Sequence, residues 1–198
     1  MKKIVCLYVL ILFILLGCGG PRAFQGGAYE DPDKITLLDD KYNEADMQMM
    51  AEKLVKSLMQ EQWINESGKK VIMQISQVSN RTQEHIDVKM LTDKIRTSLI
   101  KTGKISFIAA ELRKNVAEEY EYQQSGYVKK DTAKGPGNQI GADFMVFGDI
   151  GSHVQEMGKH KIVYYKVTLS VSNLATNTIE WTDDVEIKKS FSKKKISM

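Results

Sequence analysis

Cys18 is the residue whose neighbours most clearly assign it a covalent chemistry. It follows Leu15-Leu16-Gly17, an apolar run from Ile4 to Leu16 precedes it, and Lys2 and Lys3 stand at the start. A basic start, a short apolar stretch and a small residue before the cut describe a secretory signal. A cysteine at the cut makes it a bacterial lipoprotein signal. The thiol takes a diacylglycerol, residues 1–17 are removed, and the new amino group takes a further acyl chain. The apolar run of 13 residues is too short to span a hydrocarbon core of about 30 Å. One acyl chain holds a protein only marginally, whereas several hold it almost permanently. Gly19 follows the cysteine where an aspartate would retain the protein in the inner membrane. The expected location is the outer membrane, lipid-anchored and facing the periplasm.

The same cysteine count removes other chemistries. Cys6 leaves with the leader and Cys18 carries lipid, so the mature chain has no thiol for a disulfide, a nucleophile or a metal. His85, His153 and His160 follow no metal-ligand spacing. No Gly-x-Ser-x-Gly, Ser-x-x-Lys or phosphate-cradling glycine loop occurs. Asp143, Asp149, Asp183-Asp184 and Glu118-Glu119-Tyr120-Glu121 supply carboxylates, but carboxylates this common nominate no acid–base pair without geometry. No enzyme and no cofactor beyond the lipid on Cys18 is expected. Losing Lys2 and Lys3 leaves 26 basic and 25 acidic side chains, a balance that speaks against a nucleic-acid partner.

The remaining functional signal is a surface for protein contact. The polar stretch Asn80-Arg81-Thr82, with Glu84 and His85 close behind, ends a strand and leads into a helix. Tyr120, Tyr122 and Tyr127 gather around a charged helix and the loop after it, where tyrosine often anchors partners. The candidate contact residues are therefore Arg81, Thr82, Glu84, His85, Tyr120, Tyr122 and Tyr127; the three rings serve equally well as cover for the edge of a core.

The elements that position them read clearly. Residues 18–42, broken by Gly19, Gly20, Pro21, Gly26, Gly27 and Pro32, form a lipidated tether that as a flexible coil reaches about 25–30 Å. Residues 43–198 form one globular domain. Met47, Met50, Ala51, Leu54 and Leu58 recur at helical spacing, with Asn43 or Asp46 as cap. Val71–Val78 is a strand rich in branched residues. Asp87 caps a helix lined by Val88, Leu91, Ile95 and Leu99, which Gly103 ends. A short strand over 105–109, a surface helix over 111–124, a loop over 126–137 and a helical turn over 138–141 follow. Phe144-Met145-Val146-Phe147, apolar on both faces, predicts a central strand. Val163, Tyr165, Val167, Leu169 and Val171 alternate with polar residues, and Thr176-Asn177 turns the chain into Ile179, Trp181, Val185 and Ile187. Gly148-Asp149-Ile150-Gly151 continues a strand, Gly158 and its neighbours turn the hairpin that precedes this one, and the long hairpin expected runs over about 162–188. The fold class is α/β in an α+β-like arrangement: one mostly antiparallel mixed sheet with helices packed against it.

Asn80-Arg81-Thr82, His85-Ile86-Asp87, Gly103-Lys104-Ile105-Ser106-Phe107-Ile108, Gly141-Ala142-Asp143-Phe144-Met145-Val146-Phe147-Gly148-Asp149-Ile150, Tyr165-Lys166-Val167-Thr168-Leu169 and Asn177-Thr178-Ile179-Glu180-Trp181 occur in this order. Their combination resembles the penicillin-binding protein activator LpoB family, over roughly residues 46–188. A related fold occurs in TolB-type amino-terminal domains. The resemblance implies a non-catalytic outer-membrane lipoprotein that binds a class A penicillin-binding protein and stimulates peptidoglycan synthesis. The competing expectation is a structural or secretion lipoprotein, an oligomeric subunit like the curli-export proteins. Labelled palmitate is expected to enter the wild-type protein and not the Cys18→Ala variant, read by fluorography; label retained in the variant contradicts the assignment.

Overall fold

The computed structural model describes residues 26–32, 34–37 and 39–193; Cys18 and the leader lie outside the described residues. The chain divides between Lys34 and Ile35. In the first part, the described residues hold no helix or strand, and Lys34 pairs with Glu30 at 3.4 Å. All elements named below belong to the second part.

Helix α1 (Glu44–Leu58) starts where Asn43 and Asp46 cap each other's backbone N–H, so both expected caps act together. Its Met50, Ala51, Leu54 and Leu58 are buried at the expected spacing. A single turn, α2 (Gln62–Asn65), then buries Ile64; four residues are too few for a periodic pattern to announce. Strand β1 (Val71–Asn80) reaches two residues beyond the apolar run. Helix α3 (Val88–Lys101) is capped by Asp87, whose carboxylate accepts from the Lys89 and Met90 amides. Strand β2 (Ile105–Phe107) is shorter than the expected 105–109, because a 3-10 turn (Ala110–Leu112) already begins at Ala109. Helix α4 (Arg113–Gln124) buries no residue, in line with its charged sequence. No helical turn forms over 138–141, where the chain is irregular.

Strands β3 (Phe144–Met157), β4 (His160–Asn173) and β5 (Ile179–Ser192) are all long. The sheet order is β2-β1-β3-β4-β5, with β1 parallel to both its neighbours and the rest antiparallel. Phe144–Phe147 thus opens the central strand, as its two-sided apolarity requires. There are two long hairpins, where one was expected. Gly148–Gly151 continues the strand and Gly158 lies in the turn after it, both as expected, and every residue from Phe144 to Met157 pairs with β4. Both are committed to the sheet.

Helices α1 and α3 cover one face of the sheet and meet each other across it. Val163, Tyr165, Val167, Leu169 and Val171 point into that layer, with Trp181, Val185 and Ile187 beside them. The Trp181 indole N–H donates to Ser57 Oγ at 3.3 Å, joining β5 to α1. Side chains of opposite parity face the other way, where Lys166 lies 3.2 Å from Asp184 and Ser170 meets Thr182 at 2.9 Å.

Gly148 shows how tightly β3 and β4 approach. A Cβ there would lie 2.1 Å from the Thr168 carbonyl oxygen and 2.8 Å from a Leu169 methyl, whereas at Gly151 it would meet nothing within 4 Å. Overpacking a close contact costs about 1–3 kcal/mol or more. Gly148→Ala is therefore expected to lower unfolding free energy by at least about 2 kcal/mol in urea titrations, while Gly151→Ala stays near wild type. Equal midpoints for the two would contradict this packing.

Candidate functional site

The loop from Arg81 to Asp87 is organised by its own short side chains. Asn80 Oδ1 accepts from the Thr82 amide at 2.9 Å and from the Thr82 hydroxyl at 2.7 Å. Asn80 Nδ2 donates to the Glu84 carbonyl at 2.8 Å, and the Glu84 amide donates to Thr82 Oγ1. Asparagine and threonine build such turns because they reach backbone groups two to four residues away. Arg81 donates its backbone N–H to Ile150 O, and its exposed guanidinium lies 3.7 Å from Asp149. Exposed pairs of this kind contribute little stability, so Arg81 is available for other contacts.

Opposite the loop stands the start of α1 with the residues before it. Between them lies a cleft of about 640 Å³, lined by apolar Met47, Ile86 and Met90 and by polar Lys41, Glu44, Glu84, His85 and Asp87. His85 is exposed and Ile86 buried. Both helix starts at the cleft are capped by Asn43, Asp46 and Asp87, so neither offers a vacant row of amides to an anion. Among the described residues, no group of three or more His, Cys, Asp or Glu is placed to hold a metal ion.

Beneath the cleft is a buried polar network. Lys189, from β5, sends its ammonium to Asp46 Oδ2 at 2.7 Å and to the Lys41 carbonyl; the side chains of Lys189 and Asp46 are only 5% and 3% exposed. The ammonium also lies 5.2 Å from the centre of the Tyr165 ring. The Tyr165 hydroxyl donates to Glu84 Oε1, and the Tyr42 amide donates to Glu84 Oε2 at 3.0 Å. Tyr42 meets the Tyr165 ring edge-on, centroids 5.6 Å apart. Burial raises the pKa of both phenols, with Glu84 adding to it at Tyr165 and Asp46 at Tyr42, so both rings stay neutral. Residues 40–42, expected within the tether, are thus fastened to the folded body.

The structure brings Arg81, Thr82, Glu84 and His85 together as one loop, with Glu84 turned inward and His85 outward. Tyr122 and Tyr127 stack at 6.0 Å and 15°, 55% and 83% exposed, while the Tyr120 hydroxyl accepts from Gln139 at 3.3 Å. None of the three rings belongs to the core. Sequence reasoning passed over Tyr42, Tyr165 and Lys189 as site residues. The available signal was Lys189 itself, a charge at an inward position in register with Trp181, Val185 and Ile187.

The family model for peptidoglycan-synthase activator LpoB matches residues 46–187. The chain belongs to the LpoB family. It is similar to the LpoB C-terminal domain from Escherichia coli, at 14% identity, TM-score 0.48, and 73% of this chain against 99% of that one. The LpoB C-terminal domain from Salmonella enterica has the same identity and coverage at TM-score 0.43. The NMR structure of E. coli LpoB is 13% identical over 87% of each chain, at TM-score 0.39. No curated protein matches the sequence. Among the described residues no helix is long and apolar enough to cross a membrane.

Removing one partner of a buried ion pair costs about 3–5 kcal/mol, whereas replacing both with neutral groups is often harmless. Lys189→Met is expected to fall in that range in urea titrations. Lys189→Met combined with Asp46→Asn should recover about half of the loss or more. A double variant as weak as the single one would show that charge pairing is not what matters here.

Proposed function

We propose that this member of the LpoB family is a lipid-anchored, non-catalytic activator that docks on a class A penicillin-binding protein and stimulates its synthesis of peptidoglycan. The family assignment over residues 46–187 carries this reading, since the family is that of peptidoglycan-synthase activators. The sequence signal at Cys18 supports the outer-membrane anchor, with palmitate among the acyl groups. An activator without chemistry of its own works by differential affinity: it must bind the active form of the synthase more tightly, because equal affinity for both forms shifts nothing.

The contact surface proposed is the Arg81–Asp87 loop with the cleft beside it, and the Tyr122–Tyr127 pair is a second anchor. The loop is pre-organised by Asn80 and Thr82, which lowers the ordering cost of binding. Exposed Arg81 and the stacked tyrosines are residue types enriched where protein contacts concentrate, and exposed His85 lies beside Arg81 on the same loop.

The test is co-purification with the cell's class A penicillin-binding proteins, together with glycan polymerisation with and without the full protein. A complex and a faster rate are expected. Arg81→Ala with His85→Ala should weaken binding by about thirtyfold or more, one hot-spot contact's worth, with an unchanged melting temperature. No complex and unchanged rates reject the proposal.

A further inference from the structure

The strap from Asp39 to Tyr42 is held to the folded body by single contacts, from its own backbone and side chains to side chains distant in sequence. Asp40 pairs with Lys161 at the start of β4, and the Lys41 carbonyl accepts from Lys189 on β5. The Tyr165 hydroxyl also lies 3.4 Å from the Asp40 carbonyl oxygen. Tyr42 divides its contacts between the Tyr165 ring and Glu84. The strap has no strand ladder; it is absent from every strand pairing of the sheet. A segment held at discrete points comes away locally, without the cooperative cost of breaking a sheet.

Glu84 makes this attachment consequential. One carboxylate oxygen belongs to the strap through the Tyr42 amide, the other to β4 through the Tyr165 hydroxyl. Lys41 and Tyr42 also form one wall of the 640 Å³ cleft, while Gln83, Glu84 and His85 form the opposite wall. When the strap moves, one wall leaves and the carboxylate on the other loses a donor. The Asn80–Thr82 turn is untouched, because its bonds are internal to the loop.

We propose that Asp39–Tyr42 is a latch through which displacement of the upstream chain opens the cleft and frees the Gln83–Asp87 side of the docking loop. The use of that loop for a synthase rests on the function proposed above; the latch itself does not.

Hydrogen exchange on the full chain in detergent tests it, comparing wild type with Asp40→Ala/Tyr42→Ala and with a milder variant, Asp40→Ala. In the double variant, the amide of residue 42, which donates to Glu84 Oε2, should lose about tenfold in protection, because the Asp40–Lys161 pair and the Tyr42–Tyr165 ring contact that hold the strap are both gone. Amides of Val163–Val171 should stay within about twofold of wild type, as local opening requires. The single variant should lie between. Unchanged protection at residue 42 overturns the latch, and so does an equal acceleration there and in Val163–Val171, which reports global loosening. Because no synthase is present, failure here leaves the docking reading standing, and failure to bind a synthase leaves the latch standing.

Discussion

A buried lysine holds the cleft end of this molecule together. Lys189 stands at the far end of β5, where the inward parity set by Trp181, Val185 and Ile187 calls for an apolar residue. Its ammonium is compensated from two directions, by the Asp46 carboxylate and by the Lys41 carbonyl. A buried pair of this kind adds little net stability over a hydrophobic substitute. Its effect is to specify geometry: a charge with fixed partners tolerates one arrangement of α1, β5 and the chain before α1.

From that constraint the cleft follows. Asp46 is also half of the box that starts α1, so pairing with Lys189 fixes the helix's first turn against the sheet. The strap is placed by the same lysine, Tyr42 is placed by the strap, and Glu84 is clamped between Tyr42 and Tyr165. Residues 42, 84, 165 and 189 are remote in sequence and meet only here. The network ties the strap, α1 and β5 together on one side of the cleft, and Asp87 caps the start of α3 on the other.

Much of the fold was legible from pattern. The caps of α1 and α3, the two buried helix stripes, the central strand and the alternation of β4 and β5 depend on local periodicity, which each segment displays by itself. Two features were not. The turn α2 is too short to show a period. The end of the tether reads as loop because its attachments are single contacts to distant side chains. The candidate loop was legible from Asn80 and Thr82, whose partners are near in sequence; the inward role of Glu84 was not.

The sequence by itself determined the placement of Cys18 behind a basic start and an apolar run, the near-balanced charge of residues 18–198, the order of most elements and the family motifs. These are properties of adjacent residues, or of residues repeating at 2 or 3.6 positions, and they need no partner elsewhere in the chain. Only the tertiary structure decided that Lys189 neutralises Asp46, that Glu84 serves both the strap and β4, and that the folded body begins before Asn43. Each of those depends on residues 40 to 150 positions apart arriving within hydrogen-bond distance, as Tyr42 does at Glu84 and Lys189 does at Asp46. Strand pairing and helix packing create that proximity, and local pattern carries no trace of it.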